Sequence, residues 1–376
     1  MALDLRWVGC DLRTGRVIEE LPGLQVSGSI SRLLATYTSA QATLPLATSG
    51  PVKTPLEWVA ATEPDRSMIV AVLAGVPVWA GIPVRRSRGS DPVVTLGLVS
   101  LEGYLDRRFT GDQAWTLANE CSVIMKGLLQ EANDEGIGIV IDAPVCTTTR
   151  SVDIKDQDDK TVYSALRTIM AMEDGPEWTI DLQWADGNQN VVSKIARVRH
   201  RIGQRASIPS AVFDVRPNAV LDSRGGASST YEFVDDFTAG RGANHVIATS
   251  SGQGDTRPQS LPARSANLTA GLAPRWEHRF SPGSNITDLD DLDSAARSAL
   301  ALMSTGAHPL TITARADADP VLGTDWNIGD DIGYDVIGPG HPTGLTGQAR
   351  AIGWTLDPNA GTVSPILLTP GDEVVS

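Results

Sequence analysis

One stretch of the sequence concentrates basic side chains: Lys194, Arg197, Arg199 and Arg201, with Arg205 just beyond. It follows Trp178-Thr179-Ile180-Asp181-Leu182-Gln183-Trp184, which alternates strictly, and a turn at Ala185-Asp186-Gly187-Asn188, so it reads as the return strand of a hairpin. A period of two then sets Arg197, Arg199 and Arg201 on one face, and Ala196, Val198, His200 and Ile202 on the other. Such a face suits contact with an acidic neighbour or the wall of a channel; the plainer alternative is a solvated strand face. A basic lumen would hold any polyanionic cargo tightly enough to stall it, which disfavours the channel role. A contact between subunits or with a neighbouring chain is therefore the role expected of Arg197, Arg199 and Arg201.

The remaining chemistry-bearing residues fall short of a recognisable site. Asn285-Ile286-Thr287-Asp288-Leu289-Asp290-Asp291-Leu292-Asp293 is acidic but lacks the D-x-D-x-D-G spacing and bidentate Glu of a calcium loop. Acids at a helix start need no metal. Asp330-Asp331 suit a turn within Trp326 to Ile332. His200, His245, His278, His308 and His341 show no H-E-x-x-H or short zinc spacing. Glu177 with Asp181, or Asp235 with Asp236, has the residue types of a glycosidase pair, which needs carboxyls roughly 5–10 Å apart. Acidic pairs are common in a chain with 45 acids. There is no G-x-S-x-G elbow or phosphate loop, and Gly252-Gln253-Gly254 precedes a polar loop instead of a helix. No catalytic, cofactor-binding or metal residue is expected. Trp7, Trp79, Trp178, Trp184, Trp276, Trp326 and Trp354 fall in or beside expected strands, where packing is a commoner use than sugar stacking.

The elements that would carry these residues begin with a strand from Leu5 to Cys10. A turn through Asp11, Arg13, Thr14 and Gly15 and a return from Arg16 to Leu21 complete a hairpin that builds scaffold. Ser67 to Leu73 and Val78 to Val84 form a second hairpin about Gly75, and Val93 to Val99 a further strand; Ser100 to Phe109, with Arg107-Arg108, closes this part. Periodicity predicts helices over Asp112 to Glu135, through Trp115, Ala118, Val123, Met125, Leu128 and Leu129, and over Thr161 to Met172, with a short strand at Ile137 to Ile141 between them. Strands return at Tyr231 to Val234 and Asn244 to Ala248. Ser251 to Ser265 reads as a loop and Asp288 to Met303 as a helix. Leu310 to Arg315 and a hairpin of Ala349 to Leu356 with Val363 to Leu368 end the pattern.

The fold class expected is β-rich α+β: two small antiparallel β-barrels, the first equally a sandwich by its strand spacing alone, with an α/β insert and a loop-helix insertion in the second barrel. The boundaries expected are 1–112 for the first barrel, 113–177 for the insert, 178–249 with 305–376 for the second barrel, and 250–304 for the insertion. A chain of 376 residues can bury more than one core, and 36 Gly and 23 Pro with 20% charged residues suit a turn-rich β protein. Net charge of −14 argues against a general nucleic-acid binder. No basic-then-apolar leader and no apolar run of about 18 residues is visible, so neither a signal peptide nor membrane insertion is expected. Cys10, Cys121 and Cys146 are expected to be reduced and buried, consistent with synthesis in a reducing cytoplasm.

WVGCDLRTGRVIEELPGL near the start, and LTITARADADPVLGTDWNIGDDIGYDVIG with RAIGWTLDPNAGTVSPILL near the end, give the chain a resemblance to minor tail proteins of long-tailed (siphovirus-type) actinobacterial phages. These in turn resemble the baseplate hub, or tail-tip, proteins of tailed phages. The resemblance covers nearly the whole chain, on structural turns and strands. It implies a structural, non-enzymatic virion protein: a homotrimeric hub whose paired barrels form a ring closing the distal tail tube. Such a hub adapts sixfold to threefold symmetry and gates DNA ejection. The implied partners are the distal tail protein ring, the tape-measure protein and other tail-tip proteins, with genomic DNA only in transit and no cofactor. Some relatives carry long C-terminal extensions, whereas this sequence stops at Ser376, which would leave host recognition and wall digestion to other proteins. A tail-associated wall hydrolase and a carbohydrate-binding host-recognition module are the alternatives.

Overall fold

The computed structural model describes residues 3–46, 56–146, 149–172, 174–216, 230–250, 257–282 and 288–368, with the backbone alone over 114–119. The chain divides into two compact units: residues 1–230 with 313–366, and residues 231–312 with 367–376.

In the first unit, β1 (Leu5–Asp11) and β2 (Val17–Glu20) form the opening hairpin. The Asp11 carboxylate accepts from the Thr14 N–H and hydroxyl, each at 2.7 Å, and Gly15 takes φ +73°. A Cβ on Gly15 would stand 1.9 Å from the Val192 carbonyl oxygen, so close approach and backbone conformation both demand glycine here. Next come β3 (Gln25–Val26), β4 (Ile30–Leu33), β5 (Ser39–Pro45) and the short helix α1 (Trp58–Ala61). β6 (Ser67–Leu73) is buried throughout and turns at Ala74 and Gly75, both left-handed, into β7 (Val76–Ser87). Two left-handed residues are what a tight hairpin requires. β8 (Val93–Ser100) pairs with β7. The resulting sheet runs β2–β1–β6–β7–β8–β5–β3, antiparallel at every step.

A 3₁₀ helix (Leu101–Arg107) leads to a departure from the sequence expectation. Residues 113–120 are not helical but form β9 (Gln113–Glu120), and helix α2 occupies only Cys121–Asn133. The cause is long-range: β11 (Thr149–Ile154) supplies β9 with an antiparallel partner, which local periodicity does not register. The Trp115 and Ala118 side chains, expected on a helix face, lie outside the described residues. Asp134 caps the C-terminus of α2, and Glu135 takes the left-handed conformation at φ +48°. Gly136 is required for space, since a Cβ there would meet the Ala132 carbonyl oxygen at 2.4 Å. Between β9 and β11 lies β10 (Ile139–Asp142). Helix α3 (Val162–Met170) begins as expected, with the Thr161 hydroxyl accepting from the Ser164 N–H.

β12 (Glu177–Trp184) and β13 (Val192–Arg199) form the hairpin that bears the arginines. β10 lies parallel to β13, giving the order β10–β13–β12. The apolar faces of α2 and α3 pack with Trp178, Ile180, Ala196 and Val198 in the same core as Val8, Val70, Val72 and Ile82 of the first sheet. β14 (Val212–Val215) follows.

The second unit holds most of β15 (Thr230–Phe233), then β16 (His245–Ala248), β17 (Ala263–Arg264), helix α4 (Ala266–Thr269) and β18 (Glu277–Phe280). Helix α5 (Leu289–Met303) starts at Asp288, whose carboxylate accepts from the Asp290 and Asp291 N–H groups. Its apolar stripe of Leu292, Ala296, Ala299 and Met303 is buried, packing with Ala243, Val246 and Ala248 around the sheet β17–β16–β18.

The chain returns to the first unit through β19 (Leu310–Arg315), then β20 (Asp331–Gly338), β21 (His341–Asp357) and β22 (Thr362–Leu368). Their sheet runs β14–β20–β21–β22–β19, with β14 parallel to β20 and β4 antiparallel to β21. Phe213 meets Trp326 edge to face at 5.8 Å, and Trp354 is fully buried. The protein is β-rich α+β, and no sheet closes into a barrel among the described residues.

Candidate functional site

Arg197 and Arg199 stand on one side of β13, as alternation requires, but their charges are matched within the fold. Arg197 donates through Nε to Asp181 Oδ2 at 2.7 Å, and its Nη1 lies 3.3 Å from Asp142 Oδ2. Arg199 Nη2 reaches the same Asp142 oxygen at 2.6 Å, while its Nη1 donates to the Asp142 carbonyl oxygen at 2.9 Å. Asp142 sits on β10 opposite Arg197, and Asp181 lies on β12, so the strands flanking β13 each supply an acid. The alternation ends with the strand. Arg201 lies beyond β13, 3.8 Å from Glu177 Oε1, and donates to the His200 and Gly175 carbonyls. His200, expected on the apolar face, is exposed, whereas Ile202 is buried. The feature is therefore a ladder of arginines interleaved with acids, with Arg201 at its more exposed end.

Two buried arginines fasten this ladder to the rest of the unit, and sequence reading found neither. Arg350 on β21 donates to Glu177 Oε1 at 2.7 Å and to Glu177 Oε2, and also to the Ile202 and Gly329 carbonyls at 2.8 and 3.1 Å. Glu177 Oε2 also accepts from the Ile202 N–H at 2.7 Å. The ion pair is enclosed and its hydrogen-bonding groups are used, as a buried charge pair demands. Arg32 on β4 reaches the Thr179 hydroxyl, the Ile180 carbonyl and Asp181, at 3.0, 2.7 and 3.2 Å. Buried Glu102 has its carboxyl pushed up by desolvation, which outweighs the opposing influence of the Arg32 charge. No local motif pairs residue 177 with 350, or 32 with 181.

Lys194 is the other cation that charge counting misjudges. It belongs to the apolar face of β13 with Ala196 and Val198, and only 1% of it is exposed. Its ammonium donates to the Leu12 carbonyl at 2.9 Å and reaches the Arg13 carbonyl at 3.5 Å, so it holds the turn of the opening hairpin. Burial brings its pKa down to about 8, and the same environment pushes the Cys10 thiol up to about 12. The period-two pattern contained the signal, since Lys194 shares the parity of Ala196 and Val198.

The other candidates resolve into local roles. Glu177 and Asp181, the first carboxylate pair, are held by Arg350, Arg32 and Arg197. Asp235 meets His308 Nδ1 at 3.0 Å, while Asp236 accepts from the Thr238 N–H and hydroxyl at 2.9 and 2.7 Å. Asp330 accepts from the Gln204 and Asn327 N–H groups, and Asp331 from Arg205 and the Ala206 N–H, so both fasten turns. His245 is buried on β16, 3.5 Å from Glu277, and burial lowers its pKa. Among the described residues no group of three or more His, Cys, Asp or Glu is arranged to hold a metal. Residues 285–287 of the acidic segment weighed for calcium lie outside the described residues. Cys10, Cys121 and Cys146 are free and buried, and Trp7, Trp79, Trp178, Trp326 and Trp354 are core residues.

No protein-family model matches the sequence, and no curated protein matches it either. Solved structures do. The fold is similar to that of a tail protein from Neisseria meningitidis MC58, at 16% identity and TM-score 0.56, covering 99% of this chain and 98% of that one. A 43 kDa prophage tail protein from Shewanella oneidensis matches at 10% identity and TM-score 0.51, covering 100% and 96%. A chain of the Francisella PdpA–VgrG complex matches at 8% identity and TM-score 0.52; all of this chain aligns with 54% of that one. At these identities the shared property is the fold.

Proposed function

We propose that the chain is a structural subunit of a phage-tail assembly, the trimeric hub at the distal end of a non-contractile tail tube, and that it performs no catalysis. The observation that carries this reading is the near end-to-end mutual coverage with tail proteins from Neisseria and Shewanella. The match takes in both units, not one widely shared module. The interior agrees with a scaffold: the carboxylate pair Glu177 and Asp181 is committed to arginines, leaving no acid there free to transfer a proton.

In this reading the two large sheets of the first unit are the tube-type domains, which complete their ring only with neighbouring copies. Three copies would adapt a sixfold tube to threefold symmetry, contact the distal tail ring and the tape-measure protein, and let DNA pass on ejection. Since Arg197 and Arg199 are already neutralised internally, the inter-subunit or neighbour contact foreseen for this face rests chiefly on Arg201. Counting copies in purified virions, together with a low-resolution map of the tail tip, tests the proposal. Three copies at the distal end of the tube are expected. A chain that stays monomeric at every concentration and occurs in another copy number overturns it, as does a clear lytic band in a zymogram on host cell walls.

A further inference from the structure

The second unit carries a groove that the scaffold role does not use. Its volume is about 550 Å³, and it lies between helix α5 and the segment Leu261 to Ala266. One wall is a helical stripe, Asp293, Arg297, Leu300, Ala301 and Ser304, whose spacing of three and four keeps these positions on one side of α5. This stripe differs from the buried one that packs with β16. The opposite wall brings Leu261, 74% exposed, with Pro262 and Ala263. The Asp293 carboxylate accepts from the Leu261 N–H at 2.6 Å, so the walls are tied and the groove is pre-formed.

Its charge is out of character with the chain. Net charge is −14, yet Arg264 and Arg297 both line this groove, and neither forms an ion pair among the described residues. The one acid on the wall, Asp293, accepts from the Leu261 N–H, and its single negative charge leaves the two guanidiniums in excess. Arg197, Arg199, Arg315 and Arg350 are matched by acids, whereas Arg264 and Arg297 line one groove with no ion-pair partner among the described residues. Apolar walls with two unmatched guanidiniums complement one kind of occupant.

We infer that the α5 groove binds an acidic peptide segment of a partner protein, with an apolar side chain against Leu261, Leu300 and Ala301 and carboxylates on Arg264 and Arg297. Guanidinium–carboxylate pairing at the rim of an apolar slot gives register as well as attraction. The inference stands on this groove and does not require the tail reading. It is tested with the full chain by fluorescence anisotropy, using a labelled short peptide of alternating Glu and Leu and a control of alternating Lys and Leu. Saturable binding of the acidic peptide alone is expected. Arg264→Glu with Arg297→Glu should weaken it by roughly ten-fold or more. Ala301→Trp, which fills the slot without altering charge, should do likewise, whereas Arg107→Glu in the first unit should leave it unchanged. Equal binding of both peptides, or unchanged affinity in both groove variants, overturns the inference. So does full competition by inorganic phosphate, which marks a simple anion site, or self-association abolished by Ala301→Trp, which marks a second copy as the occupant.

Discussion

The Lys194 ammonium is buried on the apolar side of β13 with the Leu12 and Arg13 carbonyls as its acceptors, and its ionisation feeds directly into stability. Its pKa of about 8 in the folded chain lies below the ordinary lysine value of 10.5. Between these values the unfolded chain binds more protons, so this residue makes the protein more stable as pH rises through that window, by roughly 3 kcal/mol in all. Cys10 acts in the opposite sense: its thiol titrates near 9 when unfolded and about 12 when folded, so its contribution is lost as pH climbs from 9. Denaturant titrations followed by tryptophan fluorescence at successive pH values should show a rise between about pH 8 and 9 in the wild type, offset by Cys10 above 9, and no such rise in Lys194→Met; parallel curves would refute the assignment. Glycine gives a second residue-scale test. Gly15 and Gly361 share a left-handed conformation, at φ +73° and +66°, but a Cβ at Gly361 meets nothing within 4 Å. Gly361→Ala should cost about 1 kcal/mol from conformation alone. Gly15→Ala should cost clearly more, because the Val192 carbonyl must also move. Thermal melts of the two variants compare them, and equal costs would mean the approach to Val192 relaxes freely.

Between elements, the Glu177–Arg350 pair fastens β12 to β21. Glu177→Gln leaves a buried guanidinium uncompensated and should destabilise by roughly 3–5 kcal/mol. Replacing both partners with Met should recover most of that loss. A double variant as unstable as the single would show that the pair contributes strength rather than specifying which strands meet. This clamp also marks where sequence reading stops. Hairpins whose turns carry their own chemistry were legible: Asp11 to Gly15 with its Asp-capped turn, and Gly75 between β6 and β7. So were α3 and α5, which announce their starts through Thr161 and Asp288. What failed depended on distant partners. Residues 113–120 became strand because 149–154 lay ready to pair, and the arginine face lost its free charge to Asp142, on a strand that joins β13 in parallel. Neither Glu177–Arg350 nor Arg32–Asp181 leaves a trace in local pattern, because each partner reads alone as an ordinary surface charge.

At the scale of the whole molecule, the proposed trimer demands interfaces of obligate size, on the order of 2,000 Å² or more. Sedimentation velocity should show a species of three times the chain mass that persists on dilution; a single monomer peak throughout would count against it. The likeness in fold to tail proteins, at 16% identity or less, was legible only through the turn and strand segments near the two ends of the sequence. The α5 groove was not, because its two walls come from separate stretches. The pairing of β4 with β21 constrains how the chain is made. β4, at residues 30–33, bonds to β21 at residues 353–356, so an early-synthesised strand waits for a partner that emerges from the ribosome long afterwards. Until then its backbone donors and acceptors on that side face solvent or a wrong strand. Nascent chains arrested before residue 341 should accordingly be cut by protease around residues 30–33, and chains released after residue 357 should be protected there. The first sheet can form early, but β4 is secured only when the distant segment arrives.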